Sequence, residues 1–238
     1  MQRYFAKENT NNKLILSDTD IHHIKNVMRM NIGDYIEVIY DSKLHICKIN
    51  ELEPLSLVVD NVIDKENKIN LDVTIAIGLV KEQKMDLILQ KLTELGVNRI
   101  IPISMERSIV KLDKERFAKK KIRWESICKE ASEQSKRTNI PIITDIMSID
   151  DLTKLNYDIK LVASTKEKDK LLNYYLQNIG ACAKIIMVIG PEGGISDKEE
   201  SLLCSRGYNR VSFGKLIFRV ETAAIYVASI FNFSSSKR

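Results

Sequence analysis

The chain has 238 residues, of which 44% are hydrophobic and 29% are charged, and it carries a net charge of +5. This composition is typical of a globular protein of one large or two smaller domains, with a core that needs neither disulfides nor a metal. The mild positive charge fits a polyanionic partner and equally an ordinary solvated surface.

Several classes of protein are disfavoured by what the chain lacks. The four cysteines are scattered without a C-x-x-C pair or a cysteine–histidine cluster, which argues against structural zinc and favours a reducing compartment. No apolar run approaches the roughly 20 residues of a membrane span, and the N-terminus has no apolar signal-peptide core. All three histidines lie in the first 45 residues, which argues against a histidine-dependent hydrolase centred on the later motifs. We expect a cytoplasmic protein with no metal and no membrane partner.

The first 70 residues are predicted to be rich in β-structure. Polar and apolar residues alternate over residues 34–40 and 43–49, and the Asp41-Ser42 pair between them predicts a hairpin. These short strands predict a small barrel-like domain. Its other predicted elements are a helix over residues 18–30 opened by an Asp or Thr cap, a strand over 55–63 and a polar linker over 64–70.

From residue 71 onward, strands alternate with helices. The alternation predicts a parallel sheet covered on both faces, and such sheets bind ligands beyond the carboxyl ends of their strands. A capping box, Ser196 to Glu199, marks the start of one helix. Strands are predicted over 71–79, 99–103, 159–164, 184–190 and 210–213, and helices over 85–96, 115–137, 196–207 and 222–231.

The sequence GPEGG, residues 190–194, stands at the end of a predicted buried strand. Glycines here allow backbone amides to approach a ligand, whereas a plain turn from strand to helix needs only one glycine. The chain lacks the G-x-G-x-x-G and G-x-x-x-x-G-K-[ST] fingerprints of dinucleotide and P-loop sites. Glu192 within the loop would also repel a triphosphate in the absence of a metal. A cationic or zwitterionic ligand suits the loop better, and S-adenosylmethionine is one candidate.

A second loop, FGKLIFRVETAA over residues 213–224, leaves the next predicted strand and enters the last helix. It crosses Gly214 and places Lys215, Arg219 and Glu221 among apolar neighbours. Taken alone, it is equally consistent with a solvated charged turn. Two glycine-bearing loops at successive strand ends favour one shared pocket.

These two loops resemble those of the bacterial 16S rRNA uracil-N(3) methyltransferases of the SPOUT class. The blocks QRYF, HHIKNVMRMNIGD, KMDLILQKLTELGV and ASEQSKR are similar to that family's sequence in the same order, so the resemblance covers nearly the whole chain. It implies an α/β fold with a PUA-like RNA-binding β-barrel over residues 1–70 and a SPOUT-like parallel sheet with a trefoil knot over residues 71–238. The strand pattern alone predicts a doubly wound sheet without a knot. The resemblance also implies a homodimer whose cofactor pocket lies near the subunit interface.

The resemblance further implies S-adenosylmethionine as the cofactor and a uridine of 16S rRNA, in free RNA or in the small ribosomal subunit, as the target. Arg219 is the expected catalytic group that stabilises negative charge on a ring carbonyl oxygen. Glu221 is expected either to orient Arg219 or to accept the N3 proton, although a carboxylate that only stabilises the last helix is an equal alternative. The expected cofactor-binding residues are Ala163, Ser164, Ile189, Gly190, Pro191, Glu192, Gly193, Gly194, Phe213, Gly214, Ile217, Phe218 and Thr222.

Basic residues cluster over residues 111–137 and predict contact with RNA phosphates, the alternative being an exposed helix face paired to nearby glutamates. The predicted RNA-binding residues are Arg3, Arg29, Arg107, Lys119, Lys120, Lys121, Arg123, Lys136 and Arg137.

One position departs from the family pattern. The family usually has the pattern G-x-R-I-L-R-x-E-T, and here Leu216 replaces the first arginine while Lys215 precedes it. Two other functions therefore stay open: a SPOUT methyltransferase with another RNA target or another target atom, and a non-catalytic RNA-binding factor for ribosome assembly.

Overall fold

The structure, a computed structural model, describes residues 1–10, 13–64, 71–176 and 183–236. It divides into two compact units. The N-terminal unit comprises Met1–Asn67 and Lys129–Ile140, and the C-terminal unit comprises Lys68–Cys128 and Pro141–Arg238. The linker predicted over residues 64–70 lies, apart from Asp64, outside the described residues.

A four-stranded sheet forms the centre of the N-terminal unit. The predicted hairpin is confirmed, because the turn residues Asp41 and Ser42 both adopt positive φ, 49° and 59°, as a two-residue hairpin turn requires. The inward side chains, such as Ile36, Val38 and Cys47, form the apolar core. The sheet order is β1-β4-β5-β6, with β1 Arg3–Phe5, β4 Tyr35–Tyr40, β5 Lys43–Leu52 and β6 Leu55–Ile63, and a separate hairpin joins β2 Glu8–Thr10 to β3 Lys13–Ile15.

The helix predicted over residues 18–30 is shorter and capped differently than expected. Helix α1 spans Asp18–His22, and a π-helical turn, His23–Val27, follows it. The cap is Ser17 rather than Asp18 or Thr19, because Ser17 and Asp20 form a reciprocal capping box that satisfies two backbone N–H groups.

Residues 129–140 complete the N-terminal unit through ion pairs. Lys129 pairs with the buried Asp20, and Lys136 Nζ lies 2.9 Å from Glu37 Oε2. Arg3 Nε contacts the same Glu37 oxygen at 2.9 Å. Burial alone would raise the pKa of Glu37, but the hydrogen bonds and charges of Lys136 and Arg3 outweigh it and lower the pKa. The buried Asp20 of α1 and the partly buried Glu37 of β4 are therefore neutralised in part by this later segment.

The C-terminal unit contains a six-stranded, all-parallel sheet, as the alternation of strands and helices predicts. The sheet order is β12-β10-β11-β7-β8-β9. The strands are β7 Leu71–Gly78, β8 Arg99–Ile103, β9 Ile142–Ile143, β10 Ile159–Ala163, β11 Ala183–Ile189 and β12 Asn209–Val211, and the helices are α2 Glu82–Glu94, α3 Lys114–Gln134, α4 Ile149–Thr153, α5 Leu172–Leu176, α6 Asp197–Ser205 and α7 Val220–Ser236.

The helices of this unit bury one apolar face each. In α2 the buried face includes Met85, Ile88 and Leu92, and Gly96, with φ of +86°, follows the end of the helix. Helix α7 packs against α2 and against the central strands β7 and β11. In the described part of the chain, no helix combines the length and apolar character needed to cross a membrane.

Candidate functional site

Three loops meet at one edge of the parallel sheet. Strand β11 lies between β10 and β7, and β12 lies on the other side of β10. Because all the strands are parallel, the turn after Ala163, the loop after Ile189 and the loop after Val211 leave the same edge. The structure therefore brings together the three segments that the sequence assigns to one pocket.

The loop over residues 190–194, here called the glycine loop, is packed tightly against the protein itself. A Cβ added to Gly190 would lie 2.7 Å from Ile195 Cγ1, and one added to Gly78 would lie 2.5 Å from Pro191 Cδ. Gly194 has φ of +74°, and its N–H donates to the Pro191 carbonyl at 2.8 Å. The protein's own packing thus requires glycine at 78 and 190, so close approach to a ligand is not the only reason for glycine at 190.

Arg107 holds the glycine loop in place from outside it. Its Nη1 donates to the carbonyls of Gly193 and Ile195 at 3.3 and 3.4 Å, and a Cβ on Gly193 would lie 2.9 Å from Arg107 Cβ. The neighbouring backbone N–H of Glu106 donates to the Glu199 carboxylate at 2.8 Å. The predicted RNA-binding residue Arg107 is therefore also a support of the loop.

The loop over residues 212–219, here called the aromatic loop, combines an aromatic cluster with exposed residues. The rings of Phe213, Phe218 and Tyr226 have centroids 5.2 to 6.2 Å apart. Leu216 and Ile217 project outward, 74% and 83% exposed. The loop thus has an apolar base and an apolar, solvent-facing tip. Arg219, Thr222 and Gly214 are also exposed.

Two carboxylates, one from the glycine loop and one from the first turn of α7, lie near one ammonium group. Lys84 Nζ, on α2, is 3.1 Å from Glu192 Oε1 and 3.9 Å from Glu221 Oε2. The Glu221 side chain is only 17% exposed, and its Oε2 atom is buried without a hydrogen-bond partner among the described residues. Such an oxygen is able to accept a hydrogen bond or a proton from a bound molecule.

A second buried carboxylate, Glu200, fixes the turn after β10. Its Oε1 accepts hydrogen bonds from Ser164 Oγ at 2.7 Å and from Arg210 Nε at 2.6 Å, and Lys166 Nζ lies 3.4 Å from Oε2. Burial alone would raise the pKa of Glu200, but the hydrogen bonds of Ser164 and Arg210 and the charges of Arg210 and Lys166 outweigh it and lower the pKa. Glu200 stays ionised and connects α6, β10 and β12.

Sequence patterns did not indicate Lys84, Glu200 or Arg210 as parts of this site. Lys84 lies 108 residues before Glu192 in the chain, and Glu200 lies 36 residues after Ser164. Such pairs form only when the sheet brings its strand ends together, so no local motif marks them.

The predicted RNA-binding residues other than Arg107 have three kinds of surroundings. Arg3 and Arg137 are each only 7% exposed, and Arg3 donates to the backbone carbonyls of Lys136 and Arg137. Their inclusion in an RNA surface is therefore corrected: both hold the N-terminal unit together. Arg29 is exposed and adopts a positive φ of 50°. Five further predicted residues pair with carboxylates, namely Lys119 with Glu115, Lys120 with Glu82, Lys121 with Asp145, Arg123 with Asp86 and Lys136 with Glu37.

Among the described residues, no group of three or more His, Cys, Asp or Glu side chains is arranged to hold a metal ion.

Comparison with known protein families assigns both units to one class of protein. Residues 67–232 match the RNA methyltransferase domain, and residues 16–60 match the RNA methyltransferase PUA domain. The fold and the loops at its sheet edge thus define an RNA methyltransferase with an N-terminal PUA domain.

Individual relatives narrow this class. The chain is 33% identical to ribosomal RNA small subunit methyltransferase E of Bacillus subtilis, over 99% of this chain and 97% of that protein. It is 31% identical to the protein of the same name from Aquifex aeolicus, over 97% and 98%. The chain belongs to the ribosomal RNA small subunit methyltransferase E family.

Solved structures of relatives have the same fold. Ribosomal RNA small subunit methyltransferase E of Neisseria gonorrhoeae, solved with S-adenosyl methionine bound, is 28% identical with a TM-score of 0.87, over 98% of this chain and 97% of that one. A Legionella pneumophila protein solved with the cofactor SAM bound is 28% identical with a TM-score of 0.89, over 98% of each chain. Both alignments extend over nearly the whole of this chain.

Proposed function

We propose that this protein transfers a methyl group from S-adenosylmethionine to ring nitrogen 3 of a uridine in 16S rRNA, acting as a homodimer in the cytoplasm. The observation that carries the proposal is the meeting of the glycine loop and the aromatic loop at one sheet edge, beside a buried Glu221 oxygen that accepts no hydrogen bond from the described residues. Relatives of the same family solved with this cofactor support the choice of methyl donor.

The residues present fit this cofactor chemically. Glu192 and Glu221 contribute two carboxylates against the single ammonium of Lys84, which suits a cationic ligand. The rings of Phe213, Phe218 and Tyr226 supply an apolar surface nearby. When bound, S-adenosylmethionine supplies an electrophilic methyl group. Backbone groups of Ile189, Gly190, Gly193, Phe213 and Phe218 are the ones we propose to hold its adenosine part.

The catalytic task of the chain is to remove the proton from uracil N3. Glu221 Oε2 accepts this proton, which makes the ring nitrogen lone pair available for attack on the methyl group. Arg219 stabilises the negative charge that spreads onto the adjacent carbonyl oxygen. Holding the ring nitrogen in line with the methyl carbon supplies much of the remaining rate enhancement.

In the C-terminal unit the proposed RNA contacts lie on the exposed face of α3, and in the N-terminal unit Arg29 is proposed to contact RNA separately. Lys119 is 77% exposed and its partner Glu115 is 82% exposed, so this ion pair is weak and is readily exchanged for a phosphate contact. Phosphate contacts position RNA without reading its sequence. The identity of the target base must therefore come from the pocket itself.

The proposed homodimer has support in the exposed apolar tip of the aromatic loop. Leu216 and Ile217 are the two most exposed apolar side chains among the described residues. A second protomer that covers this tip would remove apolar surface from water. The trefoil knot stays a prediction that follows from the family resemblance.

Calorimetric titration with S-adenosylmethionine tests the proposal first. The wild type should bind saturably, and Gly193→Val should abolish binding because its side chain collides with Arg107. Lys198→Ala, an exposed residue on the adjoining helix α6, is the control and should bind normally. The wild type should then transfer labelled methyl groups to 16S rRNA or to small subunits, with the label at N3 of one uridine. A folded wild type that neither binds the cofactor nor transfers methyl groups would refute the proposal.

A second function is favoured by one observation, the replacement of the usual arginine by Leu216. Leu216 offers no charge to RNA, and Lys215 beside it is the nearest cation in sequence. If the protein is an RNA-binding assembly factor without catalysis, it should bind small subunits without binding S-adenosylmethionine. If it is an enzyme with another target, the label should appear at another atom or another base.

A further inference from the structure

Lys84 reaches from a third element to a carboxylate of the glycine loop and to one in the first turn of α7, which follows the aromatic loop. It lies on α2, which belongs to neither the glycine loop nor the aromatic loop. Its ammonium contacts Glu192 Oε1 at 3.1 Å and lies 3.9 Å from Glu221 Oε2. The three side chains are 33%, 24% and 17% exposed, so water screens their charges only in part.

We infer that Lys84 is a positioning residue that ties the two loops together and holds the Glu221 carboxylate ready to accept a proton. This inference rests on the proposed function, because it gives Lys84 a role in the same reaction. Lys84 itself is not proposed to touch the uracil ring.

The two contacts of Lys84 are of different kinds. The contact with Glu192 is a hydrogen-bonded ion pair, whereas 3.9 Å to Glu221 is beyond hydrogen-bonding distance. Glu221 Oε2 therefore gains the attraction of a nearby positive charge while its lone pairs remain available. An oxygen whose lone pairs are not engaged in a hydrogen bond remains able to accept a proton from a bound molecule.

The bridge between Glu192 and Glu221 comes from a third element, helix α2. Glu192 follows β11, whereas Glu221 lies in the first turn of α7, just after the aromatic loop. Helix α2 packs against α7 and carries four buried apolar residues, including Met85, which follows Lys84 in sequence, and Ile88, one turn further along. The ammonium is thus carried by a packed helix. If the glycine loop or the start of α7 moves, the distance from Lys84 to Glu192 or to Glu221 changes. Binding at the glycine loop and the placement of Glu221 are thereby coupled, and the coupling is reciprocal.

Hydrogen–deuterium exchange tests, without any cofactor, whether Lys84 links the two loops. In Lys84→Met, exchange should become faster in backbone amides over residues 190–195 and over 213–222. Lys91→Met is a matched control, because Lys91 lies two turns along α2 and pairs with Glu94 at 2.8 Å with similar exposure. Exchange in both loops that equals that of the control would overturn the inference. Lys84→Gln repeats the measurement if the Met variant unfolds at a lower temperature than the control.

Steady-state kinetics test the consequence for the reaction. In Lys84→Met, kcat for methyl transfer to RNA should fall at least about tenfold while KM for RNA stays within about twofold of the wild type. Lys84→Arg keeps the charge and should recover most of the lost kcat, whereas a purely structural role would show equal losses in the two variants. An unchanged kcat in Lys84→Met would overturn the catalytic part of the inference.

The two proposals fail in different ways. If the wild type binds no S-adenosylmethionine and transfers no methyl group, the proposed function and the catalytic role of Lys84 are both refuted. The exchange measurement then still decides whether Lys84 ties the loops. If the wild type is active and the Lys84 variants behave like Lys91→Met, only the inference about Lys84 is refuted.

Discussion

Arg107 and Gly193 pack so closely that a Cβ on Gly193 would lie 2.9 Å from Arg107 Cβ, while Arg107 Nη1 donates to the Gly193 carbonyl at 3.3 Å. Arg107, which lies in the turn after β8, thus supports the glycine loop, which follows β11. This contact orders the backbone that we propose to meet the cofactor.

Replacing Arg107 should weaken cofactor binding without unfolding the protein. Arg107→Ala removes the donors to the carbonyls of Gly193 and Ile195, and we expect S-adenosylmethionine affinity to fall about tenfold, which is about 1.4 kcal/mol. Calorimetric titration measures the change. Arg116→Ala, which removes an exposed guanidinium paired with Asp113, should bind like the wild type. Equal affinities in the two variants would show that the glycine loop keeps its shape without Arg107.

Neutralising Glu200 should change how stability depends on pH. Because the pKa of Glu200 is lowered in the folded protein, its contribution is complete above the pKa of an unfolded glutamate, about 4.3, and is lost as the pH falls through the lower folded pKa. Glu200→Gln should lower the free energy of unfolding at neutral pH by about 2 kcal/mol. The difference from the wild type should shrink below about pH 4.

Denaturant unfolding at several pH values makes this measurement. Glu115→Gln is a suitable control, because that carboxylate is 82% exposed and takes part only in a surface ion pair with Lys119 among the described contacts, so its loss should change the free energy of unfolding little. A difference between Glu200→Gln and wild type that is independent of pH would contradict the role assigned to the ionised carboxylate.

The two proposed catalytic residues should affect the rate more than cofactor binding. Arg219→Ala should lower kcat by about 10²-fold, as expected when one donor to a developing negative charge is lost. Glu221→Gln should lower it by about 10² to 10⁴-fold because the amide cannot accept the proton. Single-turnover methyl transfer and calorimetry together separate rate from affinity. Losses of equal size in rate and in cofactor affinity would assign these residues to cofactor binding instead.

Salt titration of RNA binding tests the basic face of α3. Lys119→Ala should reduce the slope of log K against log salt by about one unit if this side chain neutralises one phosphate. Lys154→Ala serves as the control, because Lys154 is 71% exposed and is similarly paired, with Asp151. The same slope for Lys119→Ala and wild type would remove Lys119 from the RNA surface.

Local signals in the sequence predict local structure well in this chain. The Asp41-Ser42 turn and the capping box of Ser196 and Glu199 both appear as predicted, because each depends on residues at most three positions apart. Helix α2 begins at Glu82 rather than Met85, since its exposed first turn has no apolar periodicity to mark it.

Contacts between distant segments could not be predicted in the same way. Arg3 was expected on an RNA surface, yet it is buried against Glu37, and its charge in the sequence gives no hint of that partner. The family resemblance indicated Glu221 and the loops around it, but not the ammonium of Lys84 that stands beside them. Charge in a sequence predicts a partner of opposite sign without saying which one.

The N-terminal unit cannot be transplanted as an uninterrupted stretch of chain. Its strands and first helix bury Asp20 and Glu37, and the cations that neutralise them include Lys129 and Lys136 from much later in the sequence. A chimaera made by joining the first 67 residues to another catalytic domain would leave buried carboxylates short of positive charge. Such a graft has to supply an equivalent of residues 129–140, which include the end of helix α3. The N-terminal unit is therefore exchangeable only between catalytic domains that keep this segment.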